Sequence, residues 1–441
     1  MTNLEIALVS FPVLLVLIFL RMPIGLAMLM CGFFGNYLVQ GSFTPILAQL
    51  KSLTFTTFSS YSLSIIPLFL LMGQFATRGG MSQALFRAAS AWLGHRRGGI
   101  AIAAVGACAG FGAICGSSIA TAATMGKVAL PELRRYGYSG ALSTGALAAG
   151  GTLGILIPPS VILVIYAILT DQNIAKLFLT AMIPGILAAV GYIITIAIVV
   201  RLRPEEAGKP YPRVPYAERF RLLVKIWPVI LVFFLVIGGI YLGWFTPTEA
   251  AAIGAAGTGI IALVNGGFTR KIFTDSILKM ASATAMIFLI ILGAAALNNF
   301  LALSQLPQVA ASFVSGSGLN PWVVLTLILL MYLILGCFMD SLSMILLTVP
   351  VIFPIVTALD FGLPPEESAL WFGILILIVV EVGLITPPVG MNLFVINAMS
   401  KDTPLTQTYR GVLPFVISDI VRTIILVAFP PISLFLVWLL Y

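Results

Sequence analysis

Ser117 and Ser118 in one apolar stretch, and Asp340, Ser341 and Ser343 in another, offer oxygens that can hold an ion. Two further stretches offer backbone oxygens. GILIPPS at 154–160 and GLITPPV at 383–389 each carry two adjacent prolines inside an apolar run. Paired prolines remove two N–H donors and clash with the carbonyls four residues earlier. Those carbonyls belong to Gly154 and Ile155 in the first copy and to Gly383 and Leu384 in the second. Carbonyls, hydroxyls and an amide such as Asn392 suit a hard cation, and few formal charges suit a monovalent one such as Na⁺. We expect one cation site from Ser117, Ser118, Gly154 and Pro158. A second is expected from Gly336, Asp340, Ser341, Thr386, Pro387, Gly390 and Asn392, where Gly390 permits sharp backbone bends.

An anion site is expected between them. A helix restarting after Ser117 would present unpaired N–H groups and the positive end of its dipole at membrane depth. Ser117, Thr121 and Thr124 then share a face at i, i+4 and i+7. Candidate contacts to an anionic solute are Ser117, Ser118, Thr121, Ser341, Ser343 and Asn392. The competing explanation for the hydroxyls is bonding back to helix carbonyls or packing between spans. Asp340 would repel an anion, so it fits the cation. Glu381, two residues before Gly383, either binds a cation or proton or caps the broken helix. Asp419 and Arg422, three apart, are expected to pair with each other.

The elements that must position these groups are membrane spans. With 60% hydrophobic and 9% charged residues over 441 positions, the chain reads as a polytopic all-α membrane protein. The net charge of +8 comes from short loops, which favours a positive-inside bias over nucleic-acid binding. Cys31, Cys108, Cys115 and Cys337 lie in apolar segments without C-x-x-C spacing, so burial is their expected role. Residues 4–20 lack a basic leader and a small-residue cleavage site and read as a retained span.

Spans are expected at 4–20, 24–38 and 55–77, followed by an interfacial helix at 81–93. The run 99–130 is interrupted at 115–118 and flanked by basic residues at both ends, which suggests a re-entrant hairpin. A broken span at 139–170 and a span at 183–200 complete a first unit, residues 1–200. Residues 201–225, with seven Lys/Arg, three Glu and four Pro, read as a cytoplasmic linker. A second unit, 226–441, repeats the order: spans 227–245, 249–264 and 281–301, hairpin 321–358, broken span 368–400 and a last span 411–441. Ten crossings and two hairpins put both termini outside and nearly all basic residues inside. Five crossings per unit then give an inverted-topology repeat, with the hairpins opening from opposite sides. Pro158 and Pro387 lie 229 positions apart, and Pro184 and Pro414 lie 230 apart.

Five stretches make the chain resemble the large membrane subunit (DctM type) of TRAP, tripartite ATP-independent periplasmic, transporters. They are IPLFLLMG at 66–73, GSSIATAA at 116–123, IPPS at 157–160, LF at 177–178 with PG at 184–185, and VGLITPPVGMNLF at 382–394. The resemblance covers essentially the whole chain. It implies an elevator-type fold of the ion transporter superfamily kind in the bacterial inner membrane, with Na⁺ as the coupling ion. It further implies uptake of an organic anion such as a C4-dicarboxylate, keto acid, sugar acid or sialic acid. A periplasmic substrate-binding protein and a small four-span membrane subunit would be partners. With no further spans ahead of residues 1–20, the small subunit is expected as a separate chain. Cys115 departs from the small hydroxyl residue expected of the family there.

The alternatives separate on chemistry. A stand-alone Na⁺/anion symporter or antiporter of the same architecture would need no binding protein. An intramembrane serine hydrolase lacks a base, because the one histidine, His95, falls in a cytoplasmic segment and no lysine faces Ser117 or Ser118. No enzymatic activity is therefore expected. A passive channel has no need of paired broken helices. No Walker loop is present to couple ATP.

Overall fold

The computed structural model describes residues 2–266, 268–316 and 318–441. Among them the chain is helical, without a strand and with one isolated bridge, Tyr138 to Ala207. The N-terminal third runs through α1 (Asn3–Phe19), α2 (Ile24–Gln40), α3 (Thr44–Phe58), α4 (Ile65–Arg78) and α5 (Met81–Leu93). Then come α6 (Gly99–Cys115), α7 (Ser118–Arg135), α8 (Gly140–Leu156), α9 (Val161–Leu169) and α10 (Ile174–Leu202). The short α11 (Tyr216–Val224) leads into α12 (Trp227–Phe233), which passes through a π turn at Phe234–Gly238 into α13 (Gly239–Tyr241). The remainder is α14 (Pro247–Val264), α15 (Arg270–Leu303), α16 (Leu306–Gly316), α17 (Pro321–Gly336) and α18 (Ser341–Thr357). It closes with α19 (Pro365–Leu384), α20 (Met391–Met399), α21 (Leu405–Ala428) and α22 (Pro431–Leu440).

Local chemistry starts and stops these helices. Thr2 with Glu5, and Thr246 with Glu249, form reciprocal capping boxes that satisfy the first free N–H groups of α1 and α14. Asn173 caps α10 by accepting from Ala175 N and Lys176 N at 2.9 and 3.2 Å.

Packing sorts the helices into two layers. In α8 every residue from Leu142 to Leu156 is buried, and in α19 every residue from Ser368 to Leu384 is buried. Helices apolar all round and enclosed by protein belong at the centre of a membrane bundle. On the periphery, α1 exposes Leu8, Val9, Val13 and Val16, a surface suited to hydrocarbon and not to water. α2 and α15 pack closely because glycine removes the side chain at their crossing. A Cβ on Gly25 would stand 2.7 Å from Leu289 C, and one on Gly32 would stand 2.6 Å from Ala296 C.

Among the described residues, five helices are long and apolar enough to cross a bilayer, and up to eight if each bent pair counts as one span. α1 and α2 are shorter apolar helices, as are α6, α17, α18 and α22.

Several expected boundaries need correction. The span expected at 55–77 is two helices, α3 and α4, with a 54° bend between them. α3 starts at Thr44–Pro45, a helix-opening pair that hydropathy overlooks because Lys51, Ser52 and Thr54 dilute the apolar run. The span expected at 183–200 starts at Ile174, because the Asn173 cap nucleates it and Pro184 is carried within the helix. The span at 281–301 belongs to a helix that runs from Arg270. The last span, 411–441, is divided at Phe429–Pro430 into α21 and α22.

Candidate functional site

Both proline pairs break their helices. α8 and α9 meet at 45° across residues 157–160, and α19 gives way to α20 across residues 385–390. The Pro158–Pro159 and Pro387–Pro388 bonds are both cis.

Each break faces the turn of a neighbouring helix pair. α6 ends at Gly116, which adopts the left-handed conformation (φ 64°) and donates to Gly112 O at 3.0 Å. Ser117 then caps α7, its hydroxyl accepting from Ala120 N at 3.4 Å. A Cβ on Gly116 would lie 3.1 Å from Pro159 O, and one on Gly154 would lie 2.7 Å from Ser117 O and in contact with Thr121 Oγ1. The structure therefore gathers Ser117, Gly154, Thr121 and the 158–159 break in one place. Thr121, a candidate anion contact, thus lies among residues expected of the first cation site.

The second turn is built the same way. α17 ends at Gly336, and Asp340 caps α18, accepting from Ser343 N at 3.0 Å and Ser343 Oγ at 2.5 Å. Gly390 N donates to Cys337 O at 3.2 Å, tying the second break to the second turn. Glycine meets glycine at both places. A Cβ on Gly112 would stand 2.6 Å from Gly154 Cα, and one on Gly383 would stand 2.6 Å from Gly336 Cα. No larger residue allows backbones to approach this closely.

Between the turns stands Glu381. It is buried, and its Oε1 accepts from Ser341 Oγ at 2.8 Å. Ser341 is the first helical residue after the second turn, so the carboxylate ties α19 to the start of α18. Its Oε2 is buried without a partner, as are Thr121 Oγ1 and both amide atoms of Asn392. Unpartnered polar atoms in a bundle core are costly unless a ligand or water meets them.

The placement of Asn392 follows from packing. α20 runs alongside α7: Ile396 and Met399 lie against Gly126, and Arg134 donates to Ser400 Oγ at 2.9 Å and pairs with Asp402 at 3.3 Å. The two helices therefore run side by side, and Asn392 stands on α20 one turn before Ile396. Gly390, two residues before Asn392, is bonded to the second turn. The Thr386 hydroxyl bonds back to Val382 O at 2.6 Å, and the Ser343 hydroxyl is held by Asp340.

A second polar cluster adjoins Glu381. Arg422 Nη2 stands 2.9 Å from Asp419 Oδ1, the expected pair, although without the alignment of a hydrogen bond. Asp419 Oδ2 accepts from Tyr192 OH at 2.8 Å, and Tyr192 OH lies 2.9 Å from Thr152 Oγ1. Sequence reasoning did not find Thr152 or Tyr192. A signal existed: Thr152 stands two residues before Gly154, as Glu381 stands two before Gly383, again 229 positions apart.

Comparison with known proteins shows the family. The family model described as "Tripartite ATP-independent periplasmic transporter, DctM component" matches residues 11–432. The C4-dicarboxylate TRAP transporter large permease protein DctM of Pseudomonas aeruginosa is 40% identical over 381 residues, 86% of this chain and 87% of that protein. The ectoine TRAP transporter large permease protein TeaC of Halomonas elongata is 30% identical over 442 residues, 99% of this chain and 97% of that one. Among solved structures, the Alcanivorax borkumensis YdaH transporter aligns with a TM-score of 0.62 at 14% identity, over 87% of this chain and 88% of that one, a likeness of fold.

Proposed function

Since the chain belongs to the DctM family of TRAP transporters, we propose that it drives uptake of an organic anion with a Na⁺ gradient. The observation that carries this reading is the convergence of two helix-starting turns and two helix breaks on unpartnered, buried oxygens of Thr121, Glu381 and Asn392. On this reading one cation is held by Ser117, Ser118, Gly154 and Pro158 with Thr121. Another is held by Gly336, Asp340, Ser341, Thr386, Pro387, Gly390 and Asn392. The solute sits between the turns, where the N-termini of α7 and α18 favour negative charge.

The two units are arranged as inverted repeats, 1–200 and 226–441, joined by the linker 201–225. Gly112 on Gly154 and Gly336 on Gly383 are equivalent contacts of the two. α6 to α9 and α17 to α20 move together, elevator-like, against a scaffold that includes α2 and α15. Alternating access of this kind needs a fixed site carried by a rigid unit. The protein works in the inner membrane, with both termini periplasmic, alongside a small four-span subunit and a periplasmic binding protein that delivers the solute. Relatives named for a C4-dicarboxylate and for ectoine support a small polar solute, and its identity rests with the binding protein.

Uptake into proteoliposomes tests this reading, with an outward-to-inward Na⁺ gradient and with or without the cognate binding protein. Accumulation should require both. Full uptake of free solute without the binding protein would make the chain a stand-alone symporter. Uptake indifferent to Na⁺ would remove the cation sites.

A further inference from the structure

Away from the breaks, α5, the far end of α7, the segment 209–214 and α11 enclose a cavity of about 490 Å³. That volume lies in the range of small-ligand sites. The roof is fixed: Lys209 N donates to Tyr136 O at 2.7 Å and Tyr211 N to Gly94 O at 2.9 Å, so the segment is stitched to the turns on both sides.

The lining combines both charges with an apolar floor. Arg87 and Lys127 enter it and, among the described residues, form no ion pair. Arg135 pairs with Glu132 at 3.7 Å, and Glu218 completes the polar wall. Ser90, 6% exposed, also lines the cavity, and its buried Oγ has no partner. Phe86, Ile100 and Leu222 supply apolar surface.

We propose that this cavity binds the phosphate group of a ligand that also carries N–H or O–H donors. Arg87 and Lys127 take the phosphate oxygens, where charge-assisted bonds are strongest, and Ser90 Oγ supplies a neutral one. Glu218 accepts from the donor. An ethanolamine or glycerol phospholipid headgroup has this chemistry, and so does a soluble glycerol phosphate. A choline headgroup lacks the donor. The proposal does not depend on which solute the protein carries.

Native mass spectrometry of the full chain decides it, titrating phosphatidylethanolamine, phosphatidylglycerol, phosphatidylcholine and glycerol phosphate separately. The expected result is retention of the ethanolamine or glycerol lipid at least about tenfold more tightly than the choline lipid. Arg87→Gln with Lys127→Gln should abolish the difference, and Lys127→Arg should preserve it with unchanged thermal unfolding. Binding of glycerol phosphate alone, lost in the same double variant, assigns the site to a soluble ligand and supports the proposal equally. Equal retention of the choline lipid, a double variant that binds like the parent, or no binding of any of the four overturns it.

Discussion

Gly383→Ala places a methyl group against backbone and not against a side chain that can turn aside. The new Cβ would stand 2.6 Å from Gly336 Cα, 2.7 Å from Gly336 C and 3.1 Å from Leu333 O. Ordinary contact begins at 3.4 Å, so α17 and α19 must part by about 0.8 Å. Overpacking of this kind costs ~1–3 kcal/mol, or about 5- to 150-fold in an equilibrium constant. The strain falls between α17, which leads into Asp340 and Ser341, and the segment that carries Thr386 and Pro387. Cation affinity should therefore absorb much of it. The assay is Na⁺-dependent uptake in proteoliposomes holding the complete transporter. The Na⁺ concentration for half-maximal rate should rise at least about fivefold. Gly106→Ala is the control, because a Cβ there meets nothing within 4 Å. If both variants show the parent's Na⁺ dependence, close helix approach does not shape the second site.

Ser117→Ala with Ser118→Ala should leave the protein inserted and weaken Na⁺-dependent uptake by about 5- to 150-fold, since each lost bond costs ~0.5–1.5 kcal/mol; unchanged Na⁺ dependence in a titration would assign both hydroxyls to packing. Asp340→Asn keeps an N-cap for α18 but removes a charge, so half-saturation by Na⁺ should shift more than half-saturation by the solute, and equal shifts would reject that division of labour. Arg422→Gln leaves Asp419 buried without its cation, a loss of ~3–5 kcal/mol to be read as a lower unfolding temperature. Tyr192→Phe should give a smaller decrease, because it removes the hydroxyl's hydrogen bonds to Asp419 and Thr152 but leaves the Asp419–Arg422 pair and spares the ring packing on Phe415.

The breaks were legible in the sequence because proline chemistry is local: a pair of prolines four residues after a glycine disrupts a helix whatever surrounds it. The turns at 115–118 and 339–341 were legible for the same reason, since Ser117 and Asp340 act on N–H groups three residues away. What packs against what was not. Gly112 meeting Gly154, and Gly336 meeting Gly383, depend on helices more than forty positions apart in the chain. Nor was it legible that α20, which follows the second break, packs along α7, which follows the first turn. Glu381 was read as binding a cation or proton or as capping the broken helix, and only the fold shows Ser341 donating to it from α18. α3 escaped notice because its apolar residues are spaced among polar ones, so no hydropathy window isolates it.

The claim on which the account rests is that each helix break, with its facing turn, holds a monovalent cation. A density map of the protein loaded with Tl⁺ in place of Na⁺ tests it most directly, because the heavier ion is visible beside light atoms. The account predicts two peaks, one among Ser117, Thr121 and Gly154 and the other among Ser341, Thr386 and Pro387. Peaks elsewhere in the protein, or none at saturating Tl⁺, would contradict it.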